Sequence, residues 1–167
     1  MQMPVPGVWE MNGYGKPQYL NFNYPFPVDP PFVPRSNPTG CYRLRFTTPE
    51  DFDANAFLVF DGVDSAFDCW LNGEYVGYSQ DSRLPAEFDI SAHLNAPGTE
   101  NVLAVRVIKW CDGSYLEDQD MWRLSGIHRS VCILLKKEVY FQDFEVKTHL
   151  DFDQSANRVD HVSLDVH

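Results

Sequence analysis

The chain reads as an all-β protein, a jelly-roll β-sandwich of the galactose-binding-domain-like kind. Three observations predict this. Short apolar or alternating runs recur along the chain, each bounded by Gly, Pro, Asn or Asp. No window of a dozen residues carries a helical period. Aromatic residues make up 14% of the chain, and such side chains suit pleated, half-buried surfaces.

Taken in order, the first segment is an arm. Nine of the twelve prolines lie before residue 39, five of them within Tyr24–Arg35. Proline removes a ladder donor and fixes φ, so this stretch is neither helix nor central strand. Met1–Pro38 is therefore expected to be an ordered, extended arm that packs through Trp9, Tyr14, Tyr19, Phe22, Tyr24, Phe26 and Phe32. Strands are then expected at Cys41–Thr47, with Tyr42, Leu44 and Phe46 on one face, and at Ala56–Phe60. Phe67–Leu71 and Glu74–Tyr78 flank Asn72-Gly73, the signature of a two-residue type I′ hairpin. Further strands are expected at Glu87–Ile90, Asn101–Lys109, Arg129–Leu135, Phe141–Thr148 and Val159–Val166. Single turns are expected at Glu50–Asn55 and Ile90–Leu94.

The charge run Lys136-Lys137-Glu138 follows a complete apolar strand and marks a boundary. Residues 1–137 would form the jelly-roll domain, with its arm over 1–38. Residues 138–167 hold two strands, too little for a domain of their own. They either pack on the sandwich or open a second, truncated domain, and the second reading is preferred.

The formal net charge of −11 disfavours nucleic acid as a partner, because phosphates attract Lys and Arg. It disfavours a polybasic membrane anchor for the same reason. No apolar run reaches the ~20 residues of a membrane span, and Met1–Glu10 does not read as a leader. The four cysteines form no C-x-x-C pair. Cys69 and Cys132 lie in apolar runs and are expected as buried free thiols, which suits a cytoplasmic setting. Asn37-Pro38-Thr39 is not a glycosylation signal, since Pro occupies the middle position.

The densest chemistry lies in Trp110–Arg123. Asp112, Glu117, Asp118 and Asp120 fall beside Trp110, Tyr115 and Trp122. Carboxylates accept hydrogen bonds from sugar hydroxyls, and aromatic rings stack on the apolar faces of pyranoses. The same carboxylates serve equally well to cap turns or to pair with Arg123 and Arg129. Asp118-x-Asp120 offers oxygen ligands to calcium but lacks the Gly and closing Glu of an EF-hand. In Phe60–Phe67, Asp61 reads as an Asx turn cap and Asp64 as a residue at a sheet edge. In Gln80–Phe88, Arg83 is expected to pair with Asp81 or Glu87. The five histidines are scattered and read as structural or exposed. No phosphate loop, dinucleotide fingerprint, zinc motif or nucleophile elbow is present.

At these segments the chain resembles the amino-terminal part of family 2 glycoside hydrolases, of the long bacterial β-galactosidase type. The resemblance rests on Pro30-Pro-Phe-Val-Pro34, Asn37-Pro-Thr-Gly-Cys-Tyr42, Phe60-Asp-Gly-Val63, Ser65-Ala-Phe67, Gln80-Asp-Ser-Arg-Leu-Pro85 and Asp112-Gly-Ser-Tyr-Leu-Glu-Asp-Gln-Asp-Met-Trp-Arg123. It implies that 1–137 is a sugar-binding jelly roll and that 138–167 begins an immunoglobulin-like domain. It implies that both catalytic glutamates lie in an absent (β/α)₈ barrel, so no catalytic residue is expected here. Asp112 would contact galactose and help to ligate sodium. Asp64 would contact the sugar from a position where the best-known members carry asparagine; an aspartate there adds charge and loses the amide donors. Magnesium would be held by residues outside this chain. The implied substrate is a β-galactoside such as lactose, and the implied partners are the remaining domains and further copies of a homo-oligomer. Against this stand two other readings, a stand-alone carbohydrate-binding module and a small self-sufficient glycosidase.

Overall fold

The computed structural model describes every residue except 1, 22, 118, 119, 154 and 156. The chain divides into two compact units, Met1–Lys136 and Lys137–His167.

In the first unit the strands are β1 (Gln18–Tyr19), β2 (Thr39–Thr47), β3 (Asn55–Phe60), β4 (Val63–Asp64), β5 (Ala66–Leu71), β6 (Glu74–Gln80), β7 (Ala86–Asp89), β8 (Glu100–Ile108), β9 (Trp122–Arg123), β10 (Gly126–Ile127) and β11 (Val131–Lys136). Single 3₁₀ turns occupy Glu10–Asn12, Ser91–His93 and Asp112–Tyr115, and the described residues contain no α-helix. Two antiparallel sheets form the sandwich, ordered β2-β8-β5-β6 and β11-β3-β7.

Period-two patterning explains which face each strand buries. In β8, Asn101, Leu103, Val105 and Val107 are buried while their neighbours are not. In β3 the same alternation buries Ala56, Leu58 and Phe60. β5 lies between β8 and β6 and is buried almost throughout. These residues join Phe67, Cys69, Leu71 and Ile90 in one core. Each large apolar side chain buried there contributes about 1.5–3 kcal/mol. The β5–β6 connection is the expected hairpin, with Asn72 at φ 54° and Gly73 at φ 88°. The Asn72 amide also bridges to Asn101 Oδ1 and accepts from Val102 N, which ties the turn to β8.

Some expectations change. β11 begins at Val131 and turns Cys132 outward, so that thiol is exposed and not buried. The cause is the strand period, which sends Val131 and Ile133 to the core and Cys132 to solvent. All four cysteines are free. The two-residue ladders β1–β9 and β10–β4 carry too few residues to show a period in sequence.

The arm is stapled to the sandwich. Gly7 N and Trp9 N donate to Ile127 O and Ser125 O. The Trp9 ring packs tightly on Gly40, where any Cβ would stand 2.5 Å from its Cζ2. Trp9 Nε1 donates to Tyr42 Oη at 2.5 Å. Glu10, whose side chain is 1% exposed, meets Lys109 Nζ at 2.6 Å and accepts from Ser125 N at 3.0 Å. Phe22 lies outside the described residues.

The second unit is a hairpin of β12 (Val146–Asp153) and β13 (Arg158–Val166). Its first strand begins five residues later than Phe141 because the apolar alternation runs through Val146, Thr148, Leu150 and Phe152; Phe141 itself is 92% exposed. Across the ladder, Val146, Thr148 and Leu150 face Val166, Leu164 and Val162, which makes one face of the hairpin apolar. The other face carries Lys147, His149 and Asp165, and His149 Nε2 lies 3.0 Å from Asp165. The apolar face is open to solvent, and a two-stranded sheet alone is marginal in water.

Breaking the Glu10–Lys109 pair leaves an ammonium buried without its counter-charge. Glu10→Ala is therefore expected to lower the unfolding free energy of the first unit by about 3–5 kcal/mol. Urea denaturation followed by tryptophan fluorescence measures this, and an unchanged midpoint would show that the pair does not hold the arm.

Candidate functional site

The Trp110–Arg123 loop leaves the end of β8 and is held from both sides. The Asn37 side chain pairs with the Trp110 backbone, donating to its carbonyl at 2.7 Å and accepting from its N–H at 3.0 Å. Phe26 meets Trp110 edge-on at 5.0 Å and Tyr115 at 5.6 Å, while Tyr24 meets Tyr115 at 5.1 Å. Tyr24 Oη donates to Tyr115 O, and Tyr115 Oη donates to Phe32 O. Such edge contacts contribute about 0.5–1.5 kcal/mol each beyond the area they bury. The Pro-rich arm thus packs its aromatic residues against this loop.

Asp112 opens the 3₁₀ turn Asp112–Tyr115. Its carboxylate is exposed and accepts from the neighbouring Gly113 N at 2.9 Å. Beneath it, Ser114 is buried, accepts from Cys111 N at 3.1 Å, and lies 3.3 Å from Ser65 Oγ. The Ser65–Ser114 contact joins the segment of Asp64 to the segment of Asp112. Burial pushes the Cys111 thiol up, so it stays protonated and inert.

The other carboxylates differ in role. Glu117 accepts from Ser82 N at 2.7 Å and from Ser82 Oγ at 2.8 Å, so it pins the Gln80–Pro85 segment. Asp120 is exposed and accepts from Tyr19 Oη. Asp118, and with it the calcium option, lies outside the described residues. Among the described residues no three His, Cys, Asp or Glu side chains gather as a metal site. Arg123 donates to Glu117 O, and Arg129 donates to the carbonyls of Asp61 and Arg83.

The β1–β9 ladder brings the arm to the end of this loop. Tyr19 pairs with Trp122, and their rings stand 5.6 Å apart, tilted by 48°. Tyr19 is 48% exposed and Trp122 is 56% exposed. Two solvent-facing rings beside an exposed carboxylate form a surface suited to a sugar. The sequence marks Asp120 as one of the loop's candidate carboxylates but gives Tyr19 only a packing role. The missed signal was the pairing of residues 101 positions apart.

Asp64 lies on β4 in a small hollow with Ser65, Trp110, Glu117 and Met121. Its side chain is 18% exposed, and Arg83 Nη2 stands 3.4 Å from Oδ2. Arg83 thus reaches Asp64, not Glu87, which pairs with Lys136. Asp81 accepts from the Arg83 backbone N–H. Asp61 uses its backbone N–H, toward Ser130 O, and not a carboxylate cap. Burial pushes the Asp64 carboxyl up to about 6, against the pull of Arg83 and with a further push from Glu117. His128, between Arg83 and Ser82, is pulled down by burial and stays neutral.

A carboxyl raised in the folded state binds its proton more tightly there than in the unfolded chain. Stability therefore falls as pH rises from about 4 to about 6, and the cost stays in place above that window. Over two pH units it amounts to roughly 3 kcal/mol at most. Asp64→Asn is expected to raise Tm at pH 7 and to lose that gain below pH 4. Thermal melts between pH 4 and 8 check this, and a gain that is the same at every pH would remove the charge as its cause.

Comparison with known proteins places this geometry. The family described as "Glycosyl hydrolases family 2, sugar binding domain" matches residues 1–137. A β-galactosidase of Vibrio vulnificus (strain YJ016) is 58% identical over 151 residues, covering 90% of this chain and 14% of that protein. A β-galactosidase of Enterobacter cloacae is 55% identical over 162 residues, covering 95% and 16%. The chain thus spans about one-seventh of the length of the curated relatives it matches. Among solved structures, a β-D-glucuronidase of Dictyoglomus thermophilum superposes with a TM-score of 0.60 at 19% identity, covering 97% of this chain and 36% of that one. A β-glucuronidase from an uncultured Clostridium gives 0.57 at 23%, covering 76% and 28%. These two likenesses establish the jelly-roll fold. With the match to residues 1–137, they lead to one conclusion: the chain belongs to glycosyl hydrolase family 2, as its sugar binding domain.

Proposed function

We propose that this chain is the non-catalytic sugar-binding domain of a retaining β-galactosidase that hydrolyses terminal β-D-galactosides such as lactose. One observation carries this reading. The Trp110–Arg123 loop is fixed by the arm, while Asp112, Asp120, Tyr19 and Trp122 remain turned to solvent. A wall so built orients a sugar, and the acid/base pair must come from another domain of the longer protein. Retaining hydrolysis needs two carboxyls about 5 Å apart across the bond, and no residue here is assigned to that pair.

Asp112 is proposed to contact galactose and to give sodium one oxygen ligand. Its exposed carboxylate fits that donor chemistry, and the remaining ligands would come from other segments. Asp64 is proposed as a second sugar contact from its hollow. The Tyr19–Trp122 corner favours a further assignment, in which Asp120 meets a hydroxyl while the rings flank the pyranose. Magnesium would be held outside this chain. Residues 138–167 are proposed to open an immunoglobulin-like domain, a reading supported by the one-sided apolar face of the β12–β13 hairpin. A cytoplasmic homo-oligomer is the proposed setting. Among the described residues no helix is long and apolar enough to cross a membrane.

The test uses the longer protein and a chromogenic β-galactoside. Asp112→Ala and Asp120→Ala are each expected to lower kcat/KM by roughly tenfold to a hundredfold, the worth of a hydrogen bond to a charged group. Only a sodium ligand should also weaken the dependence of KM on sodium. Unchanged turnover in both variants would remove the loop from the site. The 167-residue chain alone is expected to show no turnover, and tight galactose binding by it in calorimetry would favour a stand-alone module.

A further inference from the structure

The four-stranded sheet ends at β2, and among the described residues no strand pairs with its outer edge. That edge is nine residues long. Natural sheets shorten, charge or cover such edges, because open N–H and C=O groups template further pairing. A cleft of about 1380 Å³ runs beside it, walled on the far side by Tyr14, Lys16, Phe26 and Pro34 of the arm. Six consecutive residues, Thr39 to Leu44, line the near side. Successive residues of a strand point to opposite faces. A space touched by all six therefore lies along the strand's edge and not over one face.

The side chains there are also unfinished business for the core. Leu44 shares a face with Tyr42 and Phe46, which pack on the core, yet Leu44 is 59% exposed. The opposite face carries Arg43 and Arg45, the latter bound to Glu100 across the ladder. The missing neighbour is thus defined by chemistry. It is extended, to meet alternate backbone groups ~4.8 Å away. It is apolar on the side of Leu44 and carries an acceptor, best a carboxylate, on the side of Arg43.

We propose that this cleft is a strand-docking groove, filled by an extended segment of the same polypeptide from outside residues 1–167, which adds to β2 as a fifth strand. The chain spans only 14–16% of its matched β-galactosidases, so most of such a polypeptide lies outside these residues. A sugar would leave the row of backbone donors and acceptors unmatched. The proposal rests on the reading that the chain is part of a longer protein, and on nothing about which sugar that protein cleaves.

Hydrogen–deuterium exchange on the 167-residue chain and on the longer protein tests it. Peptides covering Thr39–Thr47 are expected to exchange at least about tenfold more slowly in the longer protein. Cys41, exposed on β2, should react with a maleimide in the short chain and resist it in the long one. Buried Cys69 should resist in both, which verifies folding without any substitution. Equal exchange of β2 in the two proteins would overturn the proposal. So would protection in the short chain that grows with concentration alongside a dimer, or that appears on adding galactose. These readouts do not depend on turnover, so an inactive longer protein would refute the proposed function and leave this comparison intact.

Discussion

Where the arm crosses the end of β8, a carboxylate and an ammonium meet at 2.6 Å with almost no access to water. Burying two charges costs several kcal/mol each, and their attraction offsets this only when the geometry is good and the remaining valences are used. Here they are used. The second oxygen of Glu10 takes Ser125 N–H, and Lys109 Nζ lies 5.3 Å from the centre of the Trp110 ring. The pair fixes three segments at once: the arm, the exit of β8 and the approach to β10. Trp9 on Gly40 seals the same seam. Without it, Phe26 and Tyr24 would have no fixed position from which to hold Trp110 and Tyr115, and the acidic loop would lose its backing.

The division of labour among the loop's carboxylates follows from this backing. Glu117 spends both oxygens on Ser82, so it is framework. Asp112 accepts from Gly113 N–H and Asp120 from Tyr19 Oη, and both carboxylates lie at the surface. Asp64 stands apart. It is held in a hollow where burial opposes its charge and Arg83 only partly restores it. An asparagine there would avoid that conflict.

Much of the sandwich was legible in sequence. Alternation in Asn101–Lys109 and the Asn72-Gly73 turn each express a local rule, and both strands and turn stand where that rule put them. The acidic loop was legible too, as a concentration of residue types. What could not be read was pairing at a distance. β1 is two residues long, and nothing in Gln18-Tyr19 announces Trp122. Cys132 was misjudged because an apolar run conceals which parity faces inward. Arg83 has carboxylates close by in sequence, yet it reaches Asp64, which the fold brings near and the chain does not.

The Tyr19–Asp120 contact joins residues 101 positions apart, and the arm is held by contacts to β2, to β10 and to the exit of β8. The Tyr19–Trp122–Asp120 surface therefore needs both ends of the first unit in place. No short fragment of the chain would carry it in native form, since each half supplies a partner that the other half must position. On the proposed function, affinity for sugar at this surface would serve as a gauge of global integrity: a lesion far from the loop, if it loosens the arm, would register there as surely as a change in the loop itself.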